Sequence, residues 1–316
     1  MPVHPDLVPV LELAGAMPPI ESLSVAESRA LAGARPATSE PEPVDAVTDL
    51  TVPGPVGAVA VRAYRPRGAP AAPLPVVAFF HGGGGVFGDL DSHDIMGRAL
   101  ANRSGALVVA VDYRLAPEHP WPAAADDAEA VTRWLADHAD ELGGDPARLA
   151  VAGDSAGGNL AAVVARRWRD ARRAGADLPD LAAQVLIYPV TDHDLDSPSY
   201  LRNAEGLFLT RSAMAWFWDL YVPAPADRAH PDASPLRADD LTDLPPAVVV
   251  TAGYDPLLDD GERYADALTA AGVPVVRRCY DDMIHAFVSM LGLVDAADDA
   301  LRLAATELRA RFATAG

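Results

Sequence analysis

The chain has 316 residues, half of them apolar, with a formal net charge of −20 at pH 7 and a sequence pI near 4.6. That length suits one large α/β domain with insertions, or two ordinary domains. The acidity argues against nucleic acid and anionic membrane surfaces as partners, because both repel an acidic protein.

The acidic residues form no long run of like charge, so they read as a solvated surface. All 25 basic residues are Arg. The absence of Lys removes Schiff-base chemistry, lysine-dependent phosphate loops and a Ser–Lys dyad. A single cysteine, Cys279, permits no intramolecular disulfide. It lies in an expected strand, where a small buried apolar role suits it better than a reactive thiol. The opening Met1-Pro2-Val3-His4-Pro5-Asp6 has neither the basic region nor the apolar core of a secretion leader. No apolar run approaches the ~20 residues of a membrane span. The expectation is a soluble, cytoplasmic protein without stable membrane insertion. Monomer and homodimer both remain open.

Residues 1–45 carry two amphipathic helix candidates, the second opening on a capping-box pattern, Ser24-Val25-Ala26-Glu27. Residues 33–43 are Pro-rich and read as a linker. Two alternating stretches, 47–52 and 58–64, flank Pro53-Gly54-Pro55 and predict an antiparallel pair. From residue 76 the pattern changes to continuous apolar runs: 76–80, 107–111, 149–152, 185–188 and 247–251. Runs apolar on both faces, alternating with helical segments at 94–104, 123–142 and 159–174, predict a mostly parallel sheet covered on both sides. A further strand is expected over 273–280, and a closing helix over 296–311. Between 191 and 238 the alternation breaks, and Thr210-Arg211-Ser212-Ala213-Met214-Ala215-Trp216-Phe217-Trp218 reads as an aromatic-rich helix. The organisation predicted is N-terminal cap helices over 1–45, a first part of the α/β core over 46–190, a cap insertion over 191–238, and the rest of the core over 239–316.

Gly153-Asp154-Ser155-Ala156-Gly157 fits Gly-x-Ser-x-Gly between an apolar strand and a helix. That is the order a nucleophile elbow needs. Five residues of common types match by chance often, so neighbours must support it. Upstream, His81-Gly82-Gly83-Gly84-Gly85 follows the first long apolar strand. Consecutive glycines there can turn backbone N–H groups toward a developing oxyanion. The competing reading is a dinucleotide fingerprint, Gly83-x-Gly85-x-x-Gly88 with Asp112 ending the next strand. Two features oppose it: residues 86–91 look like loop where the fingerprint must open a helix, and His81 has no role in that motif. A serine nucleophile also needs a base, and the base needs a carboxylate to orient it. Asp255 and His285 each follow an expected strand, in the chain order of an α/β hydrolase. Asp259 and Asp260 rival Asp255. His193 and His230 rival His285, but both fall in the insertion. No His or Cys spacing supports a metal site, and no cofactor is expected.

His81-Gly82-Gly83-Gly84, Tyr113-Arg114-Leu115-Ala116-Pro117-Glu118-His119, Gly153-Asp154-Ser155-Ala156-Gly157-Gly158-Asn159, Tyr254-Asp255-Pro256-Leu257 and Ile284-His285 together resemble the bacterial hormone-sensitive-lipase-like (family IV) carboxylesterases of the α/β-hydrolase superfamily. The resemblance spans roughly residues 76–287. It implies a mostly parallel central sheet flanked by helices, with a helical cap. It implies Ser155 as nucleophile, His285 as base and Asp255 as its orienter. It also implies the N–H groups of Gly83, Gly84 and Ala156 as the oxyanion hole, with His81 tying the glycine loop in place. Two residues depart from the family pattern: Gly85 stands where an aromatic is usual, and Ala286 where Gly is common. They bear on substrate preference and leave the reaction class alone. The expected substrate is a small-molecule ester of short to medium acyl chain, with Gly85, Met214, Phe217 and Trp218 in its pocket. A non-catalytic small-molecule-binding protein on the same fold, or an amidase or peptidase using the same triad, are the alternatives. Asp154 has no role that the sequence supplies.

Overall fold

The computed structural model describes residues 2–34 and 38–314. Part of the linker expected over 33–43 therefore lies outside the described residues. The N-terminal segment carries helices α1 (Val8–Gly15) and α2 (Val25–Gly33). Ser24 caps α2 through the reciprocal capping box with Glu27, which satisfies helix N–H groups that have no intrahelical partner. Strands β1 (Ala46–Gly54) and β2 (Gly57–Arg65) form the antiparallel pair, in register from Ala46 opposite Arg65 to Gly54 opposite Gly57.

The body follows in alternating order: β3 (Leu74–Phe80), α3 (Asp94–Ser104), β4 (Leu107–Asp112), α4 (Ala123–His138), β5 (Gly144–Asp154), α5 (Ala156–Arg173) and β6 (Leu181–Ile187). The segment 191–238 adds two α-helices, α6 (Pro198–Arg202) and α7 (Arg211–Tyr221), two 3₁₀ turns, Pro225–Ala229 and Pro235–Arg237, and no strand. The chain closes with β7 (Ala247–Tyr254), α8 (Leu258–Ala270), β8 (Val275–Ile284) and α9 (Asp295–Phe312). Among the described residues the strands form one eight-stranded sheet, ordered β1-β2-β4-β3-β5-β6-β7-β8. β1, β2 and β4 pair antiparallel, and every other neighbour pairs parallel.

The central strands are buried on both faces because helices cover both. Val76, Ala78, Phe80, Val109 and Val151 face α4, α5 and α8. Val77, Phe79, Val108, Ala150 and Val248 face α3 and α9. This alternation explains why each strand reads as a continuous apolar run. A third cluster joins Tyr200, Met214, Phe217 and Trp218 of the insertion to Val86, Val190 and Leu257 of the body, with Ile20 and Val25 packed against it. The N-terminal segment is thus shared: Leu7 is fully buried on the α3/α9 side, whereas α2 sits by the insertion.

Several boundaries differ from the sequence reading: β5 and β6 start earlier, at Gly144 and Leu181, and three further differences have a visible cause. The segment 123–142 is α-helical only to His138 and finishes as a 3₁₀ turn, Ala139–Leu142. β8 runs on to Ile284 although Asp281 and Asp282 break its apolar pattern, because this edge strand has exposed positions. Finally, α5 begins at Ala156 and not at Asn159. Gly157 and Gly158 look like helix breakers, but Gly157 lies so close to the Phe80 carbonyl that a Cβ would collide with it. That approach lets α5 start directly after Ser155.

Candidate active site

Ser155 sits between β5 and α5 with φ 55° and ψ −116°. A positive φ is uncommon for a non-glycine residue, and the surroundings enforce it here. Its N–H donates to the Ile187 carbonyl at 2.8 Å, and its carbonyl accepts from Asn159 and Val190 at 3.0 and 3.2 Å. The turn aims the side chain away from the sheet, at the C-terminal ends of the strands.

β7 delivers Asp255 and β8 delivers His285 to the same edge. His285 Nδ1 lies 2.6 Å from Asp255 Oδ2, and His285 Nε2 lies 3.0 Å from Ser155 Oγ. With the ring proton on Nδ1, the ring donates to the carboxylate and accepts from the serine hydroxyl. Asp255 is fully buried, while Ser155 and His285 are nearly so. Its second oxygen accepts the Leu257 N–H at 2.8 Å. The Asn203 amide donates to its backbone carbonyl at 2.9 Å, a support that no local sequence pattern signals.

The rivals are engaged elsewhere. Asp259 Oδ2 accepts the Ser199 N–H at 2.8 Å. Asp260 Oδ2 accepts those of Thr191 and Asp192 at 2.9 and 3.0 Å, and burial pushes its carboxyl well above the usual range. Both therefore tie the insertion to α8. His193 lies against Ser234, and the His230 ring accepts the Asp232 N–H.

The glycine loop crosses beside the elbow. Gly83, Gly84 and Gly85 all have positive φ, at 120°, 65° and 70°. Gly83 O accepts from Val86 and Phe87, and Gly85 O accepts from Ala116 at 2.8 Å. Among the described residues, no backbone partner takes up the N–H of Gly83, Gly84 or Ala156. No helix follows the glycines at once; α3 starts only at Asp94, so the dinucleotide geometry is absent.

Asp154 fixes this loop. The carboxylate is buried, and its Oδ1 accepts the Gly82 N–H at 2.8 Å. His93 Nε2 stands 3.4 Å from the same oxygen. Burial pushes this carboxyl up, but the His93 charge and hydrogen bond, with His81 and the Gly82 N–H, outweigh burial and hold it below its ordinary value. His81 stacks on Tyr113 with ring centres 4.3 Å apart, and the Tyr113 hydroxyl donates to the His81 carbonyl at 2.6 Å. Burial, reinforced by the neighbouring His93 charge, lowers the His81 ring to about 4. His81 is thus neutral near pH 7. Tyr113 opens a segment held by Arg114, which forks onto Asp127 with two 2.8 Å bonds.

A cleft of about 420 Å³ of empty space, its open mouth included, borders Gly84 and Ala156. Gly85, Met214, Phe217 and Trp218 all line it, and so do Tyr113, Asn159 and Tyr221. Tyr221 is the informative addition. A Cβ on Gly85 would stand 2.9 Å from its ring, so the ring occupies the room that an aromatic side chain at position 85 would need. Only the folded insertion brings positions 85 and 221 together. Among the described residues, no group of three or more His, Cys, Asp or Glu is arranged to hold a metal ion. No described helix is long and apolar enough to cross a membrane.

A family model described as the alpha/beta hydrolase fold matches residues 77–289. The chain belongs to this α/β-hydrolase family. The match fits the resemblance to the hormone-sensitive-lipase-like carboxylesterases. The chain is 48% identical over 266 residues to the esterase LipI of Mycobacterium tuberculosis, covering 83% of this chain and 81% of that one. It is 39% identical over 312 residues to an ethyl acetate hydrolase of Pseudomonas putida, covering 95% and 96%. Among solved structures, an ester hydrolase from the Lake Arreo metagenome, complexed with a bipyridine phosphonate derivative, superposes with a TM-score of 0.91 at 42% identity. That superposition covers 98% of this chain and 99% of the other.

Proposed function

We infer that this α/β hydrolase is a serine carboxylesterase working through an acyl-enzyme on Ser155. The observation that carries the reading is the unbroken line Asp255–His285–Ser155, with contacts of 2.6 and 3.0 Å, beside a cleft that reaches Gly84 and Ala156. His285 Nε2 takes the Ser155 proton as Oγ attacks the ester carbonyl, and Asp255 stabilises the imidazolium that forms. The N–H groups of Gly83, Gly84 and Ala156 receive the oxyanion of the tetrahedral intermediate. His285 returns its proton to the leaving alcohol. Water, deprotonated by the same ring, then attacks the acyl-enzyme and releases the acid.

Short to medium acyl chains suit the cleft, because the aromatic side chains of Phe217, Trp218 and Tyr221 wall it. The near end-to-end similarity to a relative named for ethyl acetate points the same way. We read residues 191–238, with α2, as the cap over this cleft. Replacing Ser155 by Ala is expected to lower kcat by about 10⁶ if the triad acts as a unit. Appreciable turnover of p-nitrophenyl esters by that variant would sink the assignment. A panel of acyl lengths tests the cleft: turnover should peak on short or medium chains, and a maximum on long emulsified lipids would refute that part.

A further inference from the structure

One side chain links the N-terminal segment to the glycine loop. Arg29, on α2, reaches across with its whole guanidinium. Its Nε donates to the Val86 carbonyl at 2.9 Å, and its Nη2 donates to the Ala116 carbonyl at 2.8 Å. Nη1 and Nη2 also grip the Glu118 carboxylate at 2.8 and 2.7 Å. The two carbonyls are not arbitrary. The Val86 N–H donates to Gly83 O, and the Ala116 N–H donates to Gly85 O. Two of the three residues whose amides hold the glycine loop, Val86 and Ala116 but not Phe87, are therefore held, through their carbonyls, by one planar cation. Only a guanidinium can span both acceptors and a carboxylate at once.

Besides this link, α2 is held by the partly buried Val25 against the insertion's cluster. Ser28 is its one buried residue, and that hydroxyl donates to Ile20 within the same segment. The Glu118 carboxylate is more than half exposed, so its ion pair contributes little by itself. The two carbonyl contacts, which are partly buried, carry the link.

We propose that Arg29 is a positioning residue for the oxyanion donors, so that the seating of α2 on the body sets the rate of acyl transfer. The inference rests on the esterase reading above. In that reading Gly83 and Gly84 donate to the oxyanion, and a loosened loop costs transition-state binding more than ground-state binding.

The test compares wild type, Arg29→Ala, Arg29→Lys and Glu118→Gln on p-nitrophenyl butyrate. Affinity for an alkyl trifluoromethyl ketone, which forms a tetrahedral oxyanion adduct on serine, is measured alongside. Loss of one complete oxyanion donor costs roughly 10²–10³ in kcat, so a displaced loop should cost about tenfold. Arg29→Ala is expected to lower kcat about tenfold, raise the ketone inhibition constant by a similar factor, and leave KM within about twofold. Arg29→Lys, which cannot bridge both carbonyls, should fall in between, and Glu118→Gln should stay near wild type. If Arg29→Ala does not fold, the intermediate kcat and ketone affinity of Arg29→Lys carry the test. Unchanged kcat and ketone affinity in both Arg29 variants would overturn the proposal, as would a change confined to KM. A wild type that hydrolyses no ester would overturn the esterase reading itself, and this inference with it.

Discussion

Replacing Asp154 by Ala removes the one carboxylate that anchors the glycine loop from beneath. The buried Gly82 N–H would lose its 2.8 Å charged acceptor and keep only the longer 3.3 Å contact to His93 Nε2. A hydrogen bond to a charged group contributes about 1.5–3 kcal/mol net, and a buried donor left unsatisfied costs about 1–3 kcal/mol. A loss of about 2–3 kcal/mol of stability follows, read as a lower midpoint in urea. The effect on turnover comes through geometry. Gly82 directly precedes Gly83, and one oxyanion donor is worth roughly 2.7–4 kcal/mol. Losing half of that by misplacement corresponds to roughly 10–30-fold in kcat. Asp154→Asn should lie between, since it keeps an oxygen for Gly82 but loses the charge facing His93. Initial rates on p-nitrophenyl butyrate, measured with the urea curves, give both quantities. An Asp154→Ala protein with unchanged kcat and unchanged midpoint would refute the reasoning.

Three more expectations follow from single residues. His81, lowered to about 4 by burial, stays neutral in the folded state while the unfolded chain takes up a proton below about 6.5. The unfolded state then binds more protons, so stability falls as pH drops through this window by about 1.4 kcal/mol per pH unit. The total is about 3 kcal/mol between pH 6.5 and 4, and a His81→Asn protein should lack this share of the acid sensitivity when its urea midpoints are compared across pH. Ala286 has φ 66°, a left-handed conformation that costs an L-residue roughly 1–2 kcal/mol. Ala286→Gly should raise stability by about 1 kcal/mol with kcat unchanged, and a destabilised variant would contradict the strain argument. Tyr221→Ala should open the cleft beside Gly85 and move the preferred acyl chain to greater length. An unchanged chain-length profile would remove Tyr221 from the pocket wall.

Much of this site is legible in the sequence because its parts are local. A nucleophile elbow needs a strand, a tight turn and a helix within a few residues, and residues 149–165 show all three. Asp255 stands out because it follows an apolar, doubly buried run in the parallel sheet, and His285 because it follows the next strand, at the sheet edge, in the required chain order. The motif containing Tyr113 and Arg114 was visible too, although what it supports was not. The rest depends on contacts between distant segments. Asp154 has a role only once Gly82 and His93 lie beside it, 72 residues away in the case of Gly82. Arg29 meets Ala116 and Glu118 across 87 and 89 residues. Neither pairing leaves a periodic trace, since each depends on how loops cross at the strand ends. The helix start at Ala156 is hidden in the sequence for the same reason: Gly157 reads as a breaker until β3 presses against it.

The central claim is that Ser155 is the nucleophile and that His285 activates it. Its most direct test is reaction of the folded protein with a fluorophosphonate, followed by peptide mass spectrometry and counting of the sites modified. One phosphonyl group per chain is expected, located on Ser155, with loss of esterase activity in step with labelling and much slower labelling when His285 is replaced by Ala. A modified residue other than Ser155, or full esterase activity in a chain whose Ser155 carries the label, would contradict it.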